Sequence, residues 1–324
     1  MQGNTSIRLA GLLAAVLAFM LLPLFLSAVT LPLATRVLVY AGAAMSLNLL
    51  VGATGLISLG HGLFFGLGAY VVAIGTMHYG LGYGQAAALA MAAAVPLSLV
   101  VALISLRARH LFFGLLTMAI GQVAFVFVSR NYQLTGGDDG LVGVPLPAWL
   151  DSEPAQHFFA AGMFAALGLV LLCLLRSRFG FLLGAVRDNP DRVASLGGNP
   201  KVVELAAMLI AGVLGCGFGV VWAATEGSVD PSLLSWVTSA LLLMMVALGG
   251  RSFFLGPLLG AIVLEATRSY VQTHSANADL VVGAVVILCA LLFPEGMGPA
   301  LRQWLARNPA QRLAVAAVPA KKGP

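Results

Sequence analysis

Arg176–Lys201, RSRFGFLLGAVRDNPDRVASLGGNPK, is a long polar interruption with a strong positive bias between two apolar blocks. It carries Arg176, Arg178, Arg187, Arg192 and Lys201 within one loop's length. Charge of that density cannot sit in hydrocarbon, and Lys and Arg beside apolar spans collect on the cytoplasmic side of a membrane. The loop is therefore expected to face the cytoplasm. Inside it, Asn189-Pro190-Asp191 is a helix start, because proline suits the first turn and an acidic residue there favours the positive end of the helix dipole. Gly197-Gly198 and Asn199-Pro200 stop the helix. A short helix outside the membrane is predicted, either a bare connector or a docking element for a cytoplasmic partner.

The flanks explain why a membrane is involved at all. The 324 residues are 60% hydrophobic and 9% charged, with a mean hydropathy of +0.98, whereas a soluble domain is about 25% charged. That polar content cannot cover a water-soluble globule. The apolar blocks are continuous and about 20 residues long, which points to helices rather than the short alternating strands of a barrel. The net charge of +5 and pI near 9.4 come from bases at segment ends, so membrane topology accounts for them and nucleic acid does not. Cys173, Cys216 and Cys289 lie in apolar segments without paired spacing for a metal or disulfides.

Spans are expected at about 9–30, 37–51, a third ending near Thr76, 85–106, 111–129, 157–175, 204–224, 233–248, 253–270 and 279–293. The first exceeds a signal-peptide core and reads as a retained helix. The fold class is all-α and polytopic, about ten transmembrane helices with both termini cytoplasmic. Residues 1–300 form the transmembrane domain, with the loop 176–203 inside it, and 301–324 form a cytoplasmic tail. Sorting the charges tests this. Arg8, Arg107, Arg109, the loop bases, Arg251 and the tail bases Arg302, Arg307, Arg312, Lys321 and Lys322 fall inside, and Arg36, Arg130 and Arg268 fall at outer ends.

No phosphate loop, zinc helix or nucleophile elbow is present, so a partner must hydrolyse any ATP that drives this chain. The Gly-rich run from Gly52 to Tyr70 allows either close helix packing or a broken helix that lines a cavity, and is a candidate pore wall. His61 within it is either a hydrogen-bonded structural histidine or a proton relay. Glu265 lies three residues before Arg268 on one helix face, so it is either neutralised there or placed to gate a pathway. Asp138 and Asp139 supply too few ligands for a calcium site alone, and no metal is expected.

Three segments together resemble the membrane permeases of branched-chain amino acid ABC importers, of the subunit type called LivM. They are Ser58-Leu59-Gly60-His61-Gly62-Leu63-Phe64-Phe65-Gly66-Leu67-Gly68-Ala69-Tyr70; Thr135-Gly136-Gly137-Asp138-Asp139-Gly140-Leu141 with Gly143-Val144-Pro145; and Arg187 to Gly197 with the later Asp230-Pro231, Leu248-Gly249-Gly250-Arg251 and Gly256-Pro257-Leu258-Leu259-Gly260-Ala261. The resemblance covers about 43–299.

It implies the larger-type importer permease fold in a bacterial inner membrane. It implies ATPase coupling through Arg187, Asp188, Asn189, Arg192, Ala194, Leu196 and Gly197, with Ala194-Ser195-Leu196-Gly197 matching the coupling motif. It implies a translocation path that draws on Ser58, Gly60, His61, Phe64, Phe65, Gly66, Gly68, Tyr70, Thr135, Gly136, Gly137 and Glu265. The partners would be a second, LivH-like permease, two ATP-binding subunits, a substrate-binding protein and membrane lipid, with no nucleic acid. No cofactor is expected on this chain, ATP being used by the partner subunits. Relatives that import urea, short amides or other small solutes keep the substrate open, and an ion-coupled secondary transporter is the reading from another class.

Overall fold

Backbone polar groups in an apolar chain must find partners within their own segment, and the helix does this locally. The computed structural model accordingly resolves the chain into helices; it describes residues 5–24, 26–27, 30–108, 111–274, 278–293 and 295–300. The expected tail 301–324 and the pair Arg109-His110 lie outside the described residues. The helices are α1 (Thr5–Leu21), α2 (Leu31–Asn48), α3 (His61–Met77), α4 (Tyr83–Ser105) and α5 (Leu111–Arg130). The single turn α6 (Tyr132–Thr135), α7 (Glu153–Arg176), α8 (Arg178–Asp188) and α9 (Pro190–Ser195) follow. Then come α10 (Pro200–Glu226), α11 (Trp236–Gly249), α12 (Gly256–His274) and α13 (Ala278–Leu292). Several are long and apolar enough to cross a membrane, among them 83–105, 111–130, 153–176 and 200–226. One two-residue ladder, β1 (Leu141–Val142) against β2 (Ser228–Val229), ties two loops together at one end of the bundle.

Helix α2 is the axis. It runs on through a π-helical stretch, Leu49–Thr54, and is buried along nearly its whole length by α7, α10, α11 and α12. Its middle is Ala41-Gly42-Ala43-Ala44, residues small enough to admit neighbours on every side. Outer surfaces are apolar instead: Leu89, Leu99 and Leu103 of α4 and Phe112, Val123 and Phe127 of α5 are exposed, which suits a hydrocarbon surround and not water.

Two breaks depart from the expected spans. The third expected span does not leave α2 directly, because Gly55 adopts a left-handed φ of 80° and the chain is irregular until α3 begins at His61. The eighth does not start at 233, because Gly227 takes φ 61°, residues Pro231–Leu234 form a 3-10 turn and α11 begins at Trp236. The two breaks carry matching sequences, Ala53-Thr54-Gly55 and Ala224-Thr225-Glu226-Gly227. At 14 residues α11 is about 21 Å long, short of the ~30 Å hydrocarbon core.

The starts of α3 and α11 meet at one level. Gly62 N donates to Ser239 Oγ at 2.8 Å, and that level is shared by Ser46 of α2 and Gly215 of α10, which both adjoin His61. From it α3 runs alongside α10 towards the ladder, and α11 runs antiparallel to α12 towards Gly249 and Arg251, beside the end of α2. Neighbour relations repeat across the halves: α10 packs on α3 and α4 as α2 packs on α11 and α12. The neighbour pattern of α2, α3 and α4 thus recurs in α10, α11 and α12, a correspondence that the sequence reading did not find.

Candidate functional site

The site singled out by sequence, the basic loop 176–201, is a pair of helices rather than one. Ser177 Oγ accepts Gly180 N and starts α8, which the sequence reading missed. Leu183 and Val186 of α8 are buried against the bundle, and the chain then turns out into water. Asn189 Oδ1 accepts Arg192 N at 2.8 Å, the local cap that starts α9. Gly197 ends it with φ 84°, and Gly198 N donates to Val193 O at 2.9 Å. The expected short helix therefore forms where its caps place it. Its side chains Asp191, Arg192, Ala194 and Ser195 are exposed, and Leu196 at its tip is 83% exposed.

Of the residues expected to act in coupling, Asp188, Asn189, Arg192, Ala194, Leu196 and Gly197 lie on this outward surface. Arg187 is exposed as well, but its guanidinium reaches back to the bundle. Its Nη1 donates to Gly52 O at 2.8 Å, at the end of α2, while its Nη2 lies 3.5 Å from Asp188 Oδ1. A Cβ on Gly197 would meet open space, so glycine serves the left-handed turn there and not a tight contact within this chain.

The Gly-rich run sits inside the subunit. Ser58, Gly60, His61, Phe64, Phe65, Gly66, Gly68 and Tyr70 are all buried. A Cβ on Gly68 would strike Cys216 O, and one on Gly219 would strike Phe65 O, so these glycines bring the α3 and α10 backbones together. His61 is fully buried. Ser46 Oγ donates to Ala43 O at 2.7 Å, which leaves it to accept from His61 Nε2 at 2.8 Å, and Phe64 stands edge-on to the ring. His61 Nδ1 has no hydrogen-bond partner among the described residues.

Thr135, Gly136 and Gly137 lie at the ladder end. Thr135 Oγ1 is buried near both Val128 O and Asn131 O, each at 2.6 Å, and Gly136 and Gly137 turn the chain with positive φ. Tyr132 donates its hydroxyl to Asp139, which raises the Tyr132 pKa. No group of three or more acidic, His or Cys side chains that could hold a metal occurs among the described residues.

Glu265 is 3% exposed, and its Oε1 has no partner among the described residues. Arg268 makes no direct ion pair with Glu265 among the described residues, though its charge acts on Glu265 from the same helix. The pair that does form was not foreseen: Arg36 Nε donates to Glu226 Oε1 at 2.9 Å and Nη2 to Oε2, with the guanidinium 5.8 Å from the Trp222 ring. His157 was missed too. Its Nε2 donates to Phe19 O at 2.8 Å and its Nδ1 lies 2.9 Å from Thr35 Oγ1, joining α1, α2 and α7. Opposite charges at the ends of apolar spans, as with Arg36 and Glu226, are the signal that would have suggested the first of these.

Arg36→Ala strands Glu226, whose side chain is 16% exposed, and is expected to cost about 1–3 kcal/mol. Thermal unfolding in detergent checks this, and Arg36→Met with Glu226→Met is expected to recover most of the loss, because the buried charge goes with its partner.

A family model described as "Branched-chain amino acid transport system / permease component" matches residues 29–290. The chain is 27% identical over 331 residues to the high-affinity branched-chain amino acid transport system permease protein LivM of Escherichia coli, across 94% of this chain and 78% of that protein. The LivM protein of Salmonella typhimurium is 26% identical with the same coverage. A probable branched-chain amino acid transport permease protein LivM of Methanocaldococcus jannaschii is 22% identical over 183 residues, 55% of this chain and 53% of that protein. No solved structure matches.

Proposed function

The chain belongs to the branched-chain amino acid transport permease family, and from that premise we propose that it is the LivM-type half of an importer for leucine, isoleucine or valine. It is a multi-pass membrane permease of a family without a catalytic ATPase domain. The observation that carries the reading is the exposed α9, a capped helix that offers one large apolar side chain, Leu196, to a partner. A second permease completes the pathway, two ATPase subunits receive α9, and a binding protein delivers substrate at the ladder end.

In this reading ten helices cross a bacterial inner membrane, with α8 and α9 and both termini in the cytoplasm, as the charge distribution favours. Binding of ATP closes the ATPase subunits, which displace Asp188, Asn189, Arg192, Ala194, Leu196 and Gly197 together, and the two permeases exchange inward for outward access. The irregular segment 55–60 and the neighbouring face of α5 border the path. Phe64, Phe65, Gly66, Gly68 and Tyr70 support that border from behind, and His61 holds it to α2. Thr135, Gly136 and Gly137 shape the entry. Glu265, buried with its Oε1 unpartnered among the described residues, is placed to gate the outer half.

Vesicles reconstituted with each subunit combination test the proposal. Leucine uptake is expected only with both permeases, both ATPases, the binding protein and ATP present. Uptake by this chain alone overturns the proposal in favour of a secondary carrier. A binding protein that takes urea or an amide instead of leucine overturns the substrate.

A further inference from the structure

The last carbonyls of a helix have no donor within the helix, and a cation near them is favoured by the helix dipole. At the end of α2 two carbonyls compete for donors. Leu50 O collects the N–H groups of Gly55 and Leu56 and the hydroxyl of Thr54. Gly52 O receives Arg187 Nη1 at 2.8 Å. Arg187 thus caps the axial helix from a different part of the chain, 135 positions away.

The contact lies where the helix is irregular in two ways.

 A π-helical turn is a rare departure from the α-helical ladder, frequent at functional sites, and Gly55 directly after it takes the left-handed φ of 80°. Beyond Gly55 the irregular segment leads to the start of α3, which is held by Leu59 N on Thr117 Oγ1 at 3.2 Å and Gly62 N on Ser239 Oγ at 2.8 Å. Gly52 leaves no room for a side chain, since a Cβ there would stand 2.6 Å from Arg251 O, so the turn packs directly against the connection between α11 and α12. The aliphatic stem of Arg187 fills the space beside Gly55, its Cγ 3.3 Å from where a Cβ would be. A displacement of α8 and α9 therefore reaches the 52–55 turn through this side chain.

We propose that Arg187 is a positioning residue that ties the α8–α9 hairpin to the hinge at 52–55, so that movement of α9 swings the segment 55–60 and the start of α3. It does this from within the chain and does not itself enter the ATPase cleft. The proposal rests on the coupling role given to α9 above.

The test uses the complete reconstituted transporter. Arg187→Ala is expected to keep ATP hydrolysis while solute moved per ATP falls by about tenfold, the scale of one hydrogen bond from a charged donor. Arg187→Lys, which keeps a charged donor, is expected to recover part of the ratio. Spin labels at Ile57→Cys and Asp191→Cys give the second readout. With Arg187 intact their separation stays constant between the nucleotide-free and ATP-trapped states, and with Arg187→Ala it changes. Parental transport per ATP in Arg187→Ala overturns the proposal. So does a label separation that changes on ATP trapping with Arg187 intact, a measurement that decides the matter if Arg187→Ala does not reach the membrane. Normal uptake by Leu196→Asp would instead defeat the coupling role of α9, whereas loss of uptake in Leu196→Asp beside parental behaviour in Arg187→Ala defeats the role of Arg187 alone.

Discussion

Leu196→Asp is expected to remove ATP-driven uptake by a factor of about a hundred or more while the amount of protein in the membrane stays unchanged. Burying a leucine in a partner's cleft contributes about 1.5–3 kcal/mol, and a carboxylate placed there adds a desolvation cost on top. Within this chain Leu196 is 83% exposed and contributes nothing to the core, so the unfolding temperature of the purified permease is not expected to shift. Leu196→Met keeps volume and apolarity and is expected to retain uptake. Uptake assays in vesicles, with immunodetection of the inserted protein, separate loss of coupling from loss of protein. Gly197→Asp acts by a different route. Its side chain finds open space, so the effect comes from a non-glycine residue at φ 84° and is expected to be smaller than that of Leu196→Asp.

Gly219→Leu is expected to leave no folded permease. The α-carbon of Gly219 faces Phe65 O of α3, and Gly68 faces Cys216 O of α10 in return, so each helix backbone fills the space that the other's side chain would need. A flexible side chain could give way, but a backbone carbonyl cannot without parting the two helices. Alanine at either position is expected to cost about 1–3 kcal/mol, and leucine more than that, a large part of the stability of a domain. Size-exclusion profiles and protease resistance in detergent read the outcome. A monodisperse, protease-resistant Gly219→Leu protein would show that α3 and α10 do not pack as described.

Local signals were legible in the sequence and long-range ones were not. Helix α9 was found because its start and stop are written in neighbouring residues, Asn189-Pro190 and Gly197-Gly198. Helix α8 was missed because Arg178-Phe179-Gly180-Phe181 looks like part of a charged loop, and burial of Leu183 and Val186 against other helices is what holds it. The break at 55–60 was legible as an alternative but could not be located. Leu56, Ile57 and Leu59 are as apolar as any span, and the chain can leave the helix there because Ser58 and Thr117 hydroxyls accept the freed N–H groups. Spacing suggested Glu265 with Arg268, yet a shared helix face makes contact possible without making it happen. The actual partners, Arg36 and Glu226, are 190 positions apart and meet only because α2 and α10 run side by side.

The meeting of two half-helices at the level of Gly62 and Ser239 has an electrical side. Each helix carries about half a positive elementary charge at its start, so α3 and α11 together set a fixed positive potential deep in the bundle, where little water screens it. In the proposed importer such a field would oppose the entry of a sodium ion or proton to that depth. A conduit of the proposed kind, opening and shutting beside that field, would pass solute without discharging the ion gradients of the cell.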